Sequence, residues 1–187
     1  MMRKLLVVML ATVLCAASAG VSYAAENGRI VMQIDDGKLK GLSQLEGYKE
    51  WHDVLSFSAG YEQPANIGTG SMRRTSAPNI KELSLTMPLN ATFPLLAGAP
   101  GVVYPKVILH FGPFIRGKEP FSSRQIILER VLISSAAMEV QGGSTDVLSL
   151  SLHFEKIQWK SEAINPNTGK KEGDIIRNWN ILTGNSK

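Results

Sequence analysis

Chemistry in this chain would have to come from a short list of side chains. The only imidazoles are His52, His110 and His153. None falls in a His-Glu-x-x-His or comparable spacing that would set two metal ligands on one face of an element. A lone histidine on the polar face of a strand-forming run is ordinarily solvated or hydrogen-bonded. Asp53, His110 and His153 could build a hydrolytic site only from scattered positions, and no spacing supports one. No Gly-x-Ser-x-Gly elbow is present.

Gly112-Pro-Phe-Ile-Arg-Gly117-Lys118 fills the first seven positions of a phosphate-binding loop, whose glycines let backbone N–H groups converge on phosphate. Glu119 then stands where a Ser or Thr must hold magnesium, Pro113 removes a donor, and Pro120 blocks the helix that should follow. The segment reads as a hairpin turn. Gly68-Thr-Gly70 lacks the third glycine of a dinucleotide fingerprint. Asp35-Asp36 lacks the alternating ligands that calcium needs and reads as a turn with Gly37. Asn90-Ala91-Thr92 is a formal glycosylation sequon, meaningful only in a host that glycosylates its exports. These motifs therefore nominate no catalytic residue, no cofactor and no metal.

What positions these residues begins after a leader. Arg3 and Lys4 precede an apolar run from Leu5 to Ala17 and then small residues, the layout of a secretory signal peptide. The run is shorter than the roughly 20 helical residues that span a bilayer. Ser22-Tyr23-Ala24 and Ala17-Ser18-Ala19 both satisfy the small-x-small cleavage rule, and the cut after Ala24 is favoured. Residues 1–24 are then a signal peptide, residues 25–187 one domain, and the protein is exported to the periplasm or beyond. Cys15, the single cysteine, follows Leu14 where a lipobox wants a small residue, so it leaves with the leader. Losing Arg3 and Lys4 lowers the net charge from +4 by two. The isolated pairs Arg73-Arg74 and Lys170-Lys171 make no basic stripe for nucleic acid.

The remainder reads as mainly β. Strands are expected at Arg29–Ile34, His52–Gln63 (with Leu55, Phe57, Ala59 and Tyr61 as its apolar face), Asn79–Met87, Lys106–Phe111, Arg124–Ser134, Val147–Lys160 and Ile175–Leu182. A bulge is expected between Phe154 and Ile157, where the apolar positions slip from even to odd. Gly112–Pro120 and Gln141–Asp146 read as hairpin connections, Pro64–Pro78 as a long exposed loop. One short helix can begin near Pro94.

In order, Val31-Met-Gln-Ile-Asp35, Val54-Leu-Ser-Phe-Ser58, Leu83-Ser-Leu-Thr86 with Pro94-Leu-Leu96, Tyr104-Pro-Lys-Val-Ile-Leu109, Val131-Leu-Ile-Ser-Ser135, Leu148-Ser-Leu-Ser-Leu-His-Phe154 and Trp179-Asn-Ile181 resemble the Hcp family, the haemolysin-coregulated tube proteins of type VI secretion. The resemblance covers roughly residues 29–182. It implies a β-barrel of two sheets with one short helix alongside, forming hexameric rings that stack into a hollow tube, and it implies no enzyme. Its partners would be copies of itself, a spike at the tip and small effector proteins in the lumen. The loop Glu62–Pro78 matches the family's extended loop, which nominates Asn66, Ile67, Gly68, Thr69, Gly70, Ser71, Met72, Arg73, Arg74 and Thr75 as subunit contacts. Two departures stand out. Gly98 and Pro100 should shorten the helix, and the leader exports singly a chain whose relatives assemble in the cytoplasm. A competing reading is a monomeric exported barrel that holds a small apolar ligand or a surface glycan.

Overall fold

The alternating run at the start of the domain forms β1 (Asn27–Ile34), with Ile30, Met32 and Ile34 on one face. The computed structural model describes residues 27–62, 79–97, 101–113, 124–140, 142, 145–165, 167–168 and 170–186. The turn after β1 forms as expected. Asp35, Asp36 and Gly37 have φ of 51°, 52° and 85°, the left-handed region that Asp and Gly tolerate best.

The single strand expected over His52–Gln63 is instead three pieces: β2 (His52–Val54), β3 (Ser56–Ser58) and β4 (Tyr61–Glu62). Leu55 is the extra residue. Its N–H donates to the Thr86 carbonyl at 2.7 Å, while its side chain points to solvent. Before it the even-numbered His52 and Val54 face the core; after it the odd-numbered Phe57 does. The proposed apolar face is therefore corrected, since Leu55 and Tyr61 are exposed: one inserted residue turns every later side chain over.

The remaining elements are β5 (Asn79–Ile80), β6 (Leu83–Pro88), α1 (Phe93–Ala97), β7 (Val103–Pro113), β8 (Arg124–Glu139), β9 (Val147–His153), β10 (Lys156–Ile164), β11 (Lys171–Asn180) and β12 (Asn185–Ser186). The helix has five residues, as short as Gly98 and Pro100 require. Asn90 fixes its entry: its Oδ1 accepts from the Thr92 N–H at 2.9 Å and from Thr92 Oγ1 at 2.5 Å.

All pairings are antiparallel, and most form a closed circuit. β1 pairs with β2 and β7, β7 with β8, β8 with β9, β9 with β6, and β6 with β3. Because β2 and β3 are separated only by Leu55, the circuit returns to β1 as a barrel. The same sheet continues outward from β8, in the order β8-β10-β11-β12, and the second sheet is the separate two-stranded pair β4-β5. The departure point is the bulge expected between Phe154 and Ile157, matched on β8 by Arg130 with φ 54°. Arg130 Nε donates to Glu155 Oε1 at 2.7 Å across the corner. There β9 and β10 separate: β9 continues round the barrel, and β10 pairs with β11 to form a projecting arm.

The barrel interior is filled by its own side chains. Met32, Leu83, Leu85, Leu109, Leu128, Leu150 and Leu152 are buried together, with Leu96 of α1 against them. Each such side chain contributes about 1.5–3 kcal/mol by leaving water. Among the described residues no helix is long and apolar enough to cross a membrane.

Candidate functional site

The residues singled out for chemistry do not converge. Asp53, Val31 and His110 occupy one row across β2, β1 and β7, so Val31 separates the carboxylate from the imidazole. His153 pairs with Leu132 elsewhere on the barrel. Asp53 Oδ1 accepts from Ser43 Oγ at 3.0 Å. Among the described residues no three His, Cys, Asp or Glu side chains gather where they could hold a metal ion. Gly112 and Pro113 belong to β7 itself, so the phosphate-loop resemblance begins inside a strand. Asn66–Thr75, the nominated contact loop, and the leader 1–24 lie outside the described residues.

Two histidines are buried rather than solvated. His52 is fully buried against Met32, its opposite number on β1, and His110 is 4% exposed. They point to opposite sides of the sheet. Both hold the segment Lys38–Trp51 that folds over β1. His52 Nε2 lies 3.2 Å from the Leu39 carbonyl, and the His110 ring meets the edge of Tyr48 at 5.0 Å between centroids. Burial lowers the pKa of each; the Leu39 carbonyl and Asp53 pull His52 back up, and Glu162 does so for His110. These histidines are structural pins.

What the surface does offer is two faces of opposite chemistry. The first is a ladder of hydroxyls. Ser58, Ser84, Ser151 and Ser135 form one row across β3, β6, β9 and β8, and Ser56, Thr86, Ser149 and Ala137 form the next. They line a shallow concavity of about 340 Å³ with no charged side chain. The reason is the period-2 pleat: Phe57, Leu85 and Leu150 alternate with them and face the core. The spacing was present in the sequence as Ser-x-Ser or Ser-x-Thr in three separate strands, a signal that a search for catalytic motifs passes over.

The second is an apolar groove of about 410 Å³ between the barrel mouth and the arm. Phe57 and Phe111, packed edge to face at 5.1 Å, form one wall; Ile126, Trp159 and Ile175 form the other. Arg124 and Arg177 stand at its rim, and neither makes an ion pair among the described residues. The opposite face of the arm is self-neutralised. Lys160 pairs with Asp174 at 3.0 Å, and Lys171 bridges Glu162 at 2.8 Å and Asp174 at 3.0 Å, which pushes the Lys171 ammonium up to about 12. The arm is exposed on both sides: Ile175 is 66% and Ile176 49% accessible.

Comparison with known proteins agrees with this architecture. Solved structures of secretion-system proteins share the fold. One, described as the structure of a type six secretion system protein, superposes with a TM-score of 0.73 at 22% identity, covering 85% of this chain and 99% of its own. Hcp1 from Salmonella typhimurium gives 0.63 at 16% identity, covering 86% of this chain and 99% of its own. A type VI secretion system effector from Yersinia pestis gives 0.60 at 13%, covering 81% and 99%. No curated protein sequence matches. The family profile described as "Type VI secretion system effector, Hcp" matches residues 31–160, from β1 into β10. The chain, with its Hcp-type barrel, single short helix and projecting arm, belongs to that family.

Proposed function

We propose that this protein is a non-catalytic subunit that assembles with copies of itself into hexameric rings of the type VI tube kind, able to stack and to carry small effector proteins or meet a spike. The observation that carries the reading is the family match over residues 31–160. Residues 25–187 form the ring subunit, and residues 1–24 direct export to the periplasm or beyond. The hydroxyl ladder is the face we assign to the lumen. Small uncharged side chains give a passing polypeptide neither an ionic anchor nor an apolar patch on which to stall. The segment Asn66–Thr75 reaches a neighbouring subunit.

One observation favours a second reading. The groove beside Trp159 is large enough for a small apolar ligand, as a monomeric exported barrel would need. The barrel interior, packed with leucines, is not such a container. Sedimentation velocity of the purified protein separates the two readings. The ring predicts one discrete species several times the monomer mass; a strictly monomeric boundary at high concentration removes it.

A further inference from the structure

The segment Lys38–Trp51 carries neither strand nor helix, apart from a bridge between Ile34 and Leu39, yet it buries part of the barrel's outer surface. Asp53, Val31 and His110 stand in one row there. Ser43 Oγ donates to Asp53, the Tyr48 ring meets His110, and Val31 between them is fully buried. The segment closes on itself: the Gly41 N–H donates to the Glu50 carbonyl at 2.6 Å, and the Ser43 N–H donates to the Trp51 carbonyl at 2.9 Å. Glu50 has φ 64°, a conformation that is costly for a residue with a Cβ. The segment is a strap laid over the sheet.

Its two ends are joined by one side chain. Leu39 lies at the entry and His52 directly follows the exit, so the contact of His52 Nε2 with the Leu39 carbonyl at 3.2 Å clasps them together. A carbonyl only accepts, so Nε2 carries the ring proton. Nδ1 is then the bare nitrogen, buried and without a hydrogen-bond partner among the described residues. The next proton must enter at Nδ1, where it would put a charged N–H in the core with nothing to receive it. His52 is the first residue of β2, and its pairing with Met32 is the last of the β1–β2 register. Freeing the ring therefore requires the strap and one residue pair to part, while the barrel stays closed. We infer that the Lys38–Trp51 strap is an acid-released latch, with His52 as its clasp and the Asp53–Val31–His110 row as the surface it uncovers.

The charges around the two histidines set them apart. Met32 faces His52 from β1, β6 turns Leu85 and Met87 into the same core, and the strap offers only a carbonyl. Asp53, next in the strand, favours the charged ring, but burial is the larger effect and keeps it neutral. Around His110, Glu162 of β10 favours the charge, Gln125 of β8 is uncharged, and Lys160, next in that row, is engaged with Asp174. A proton on His110 meets a carboxylate's field with the strap in place, so His52 is the sensor. Once the strap opens, the His52 ring returns to a pKa of about 6.5 in water, and opening grows as pH falls below that value.

Hydrogen exchange followed by mass spectrometry tests this on the protein purified from its full chain, at pH 7.5 and 5.5, after correction for intrinsic exchange rates. The Gly41 and Ser43 amides should open about tenfold more often at pH 5.5. At both pH values they should open more readily than the amides paired between β7 and β8. His52→Gln can still donate to the Leu39 carbonyl but takes no proton, and it should cut the rise to less than about threefold; His110→Gln should keep it. Imidazole nitrogen spectra of the parental protein give a readout that needs no variant: His52 should be the Nε2–H tautomer at pH 7.5. Equal opening at the two pH values, or strap and barrel amides released only together, would overturn the latch. So would an undiminished rise in His52→Gln, or a charged His52 ring at pH 5.5 beneath a strap that keeps its protection.

Discussion

Acidification should loosen this fold well before its carboxylates titrate, because two buried imidazoles must charge. Unfolding exposes His52 and His110 to water, where their pKa is about 6.5; burial holds both lower in the folded protein. Below that value the unfolded chain binds more protons than the folded one, so stability falls as pH falls and is flat above it. At pH 5.5 the loss reaches about 1.4 kcal/mol for each histidine that stays neutral in the fold, about 2.8 kcal/mol for both. Asp53 beside His52 and Glu162 near His110 favour the charged rings, so the pair should fall between about 1 and 2.8 kcal/mol. Asp174, whose carboxyl is held low by Lys171 and Lys160, keeps its charge at this pH and adds nothing. Urea unfolding at pH 7.5 and 5.5, followed by tryptophan fluorescence at one protein concentration, measures the difference. His52→Gln and His110→Gln should each flatten the dependence. Equal stability at the two pH values would refute the reasoning that burial keeps these rings neutral.

Three further outcomes follow from packing and processing. Leu128, fully buried at the centre of the core, should cost about 2–5 kcal/mol when replaced by alanine, read from the urea midpoint. Gly41→Ala should destabilise by about 2 kcal/mol or more, because a Cβ there would overlap the Trp51 carbonyl where the Lys38–Trp51 segment crosses the entry to β2; an unchanged midpoint would show that the segment gives way freely. Expressed from its full chain in an exporting host, the protein should have the intact mass of residues 25–187, and an uncut chain would remove the leader.

Much of the barrel was legible because its cause is local. Alternation at Val147–His153 fixed which side chains face in, and the odd-even slip before Ile157 located the corner where the arm leaves. The break at Leu55 was not legible. A leucine between a valine and a serine-phenylalanine pair looks like one more member of an alternating strand, and only the pairing of β2 with β1 and of β3 with β6 shows that it is the residue left over. The burial of His52 and His110 was not legible for a similar reason. His110 lies on the outward face of β7, and its burial comes from Tyr48 in a segment without strand or helix pattern. The groove needed tertiary structure: Phe57, Phe111, Arg124, Trp159 and Ile175 come from five separate strands. The hydroxyl ladder could have been read directly, since Ser-x-Ser in a strand always presents two hydroxyls to one face.

Negative-stain electron microscopy of the purified protein tests the central claim most directly. The account predicts class averages of closed hexameric rings with an open centre, singly or in short stacks. Uniform single barrels without a central opening, at concentrations where the sample remains homogeneous, would contradict it.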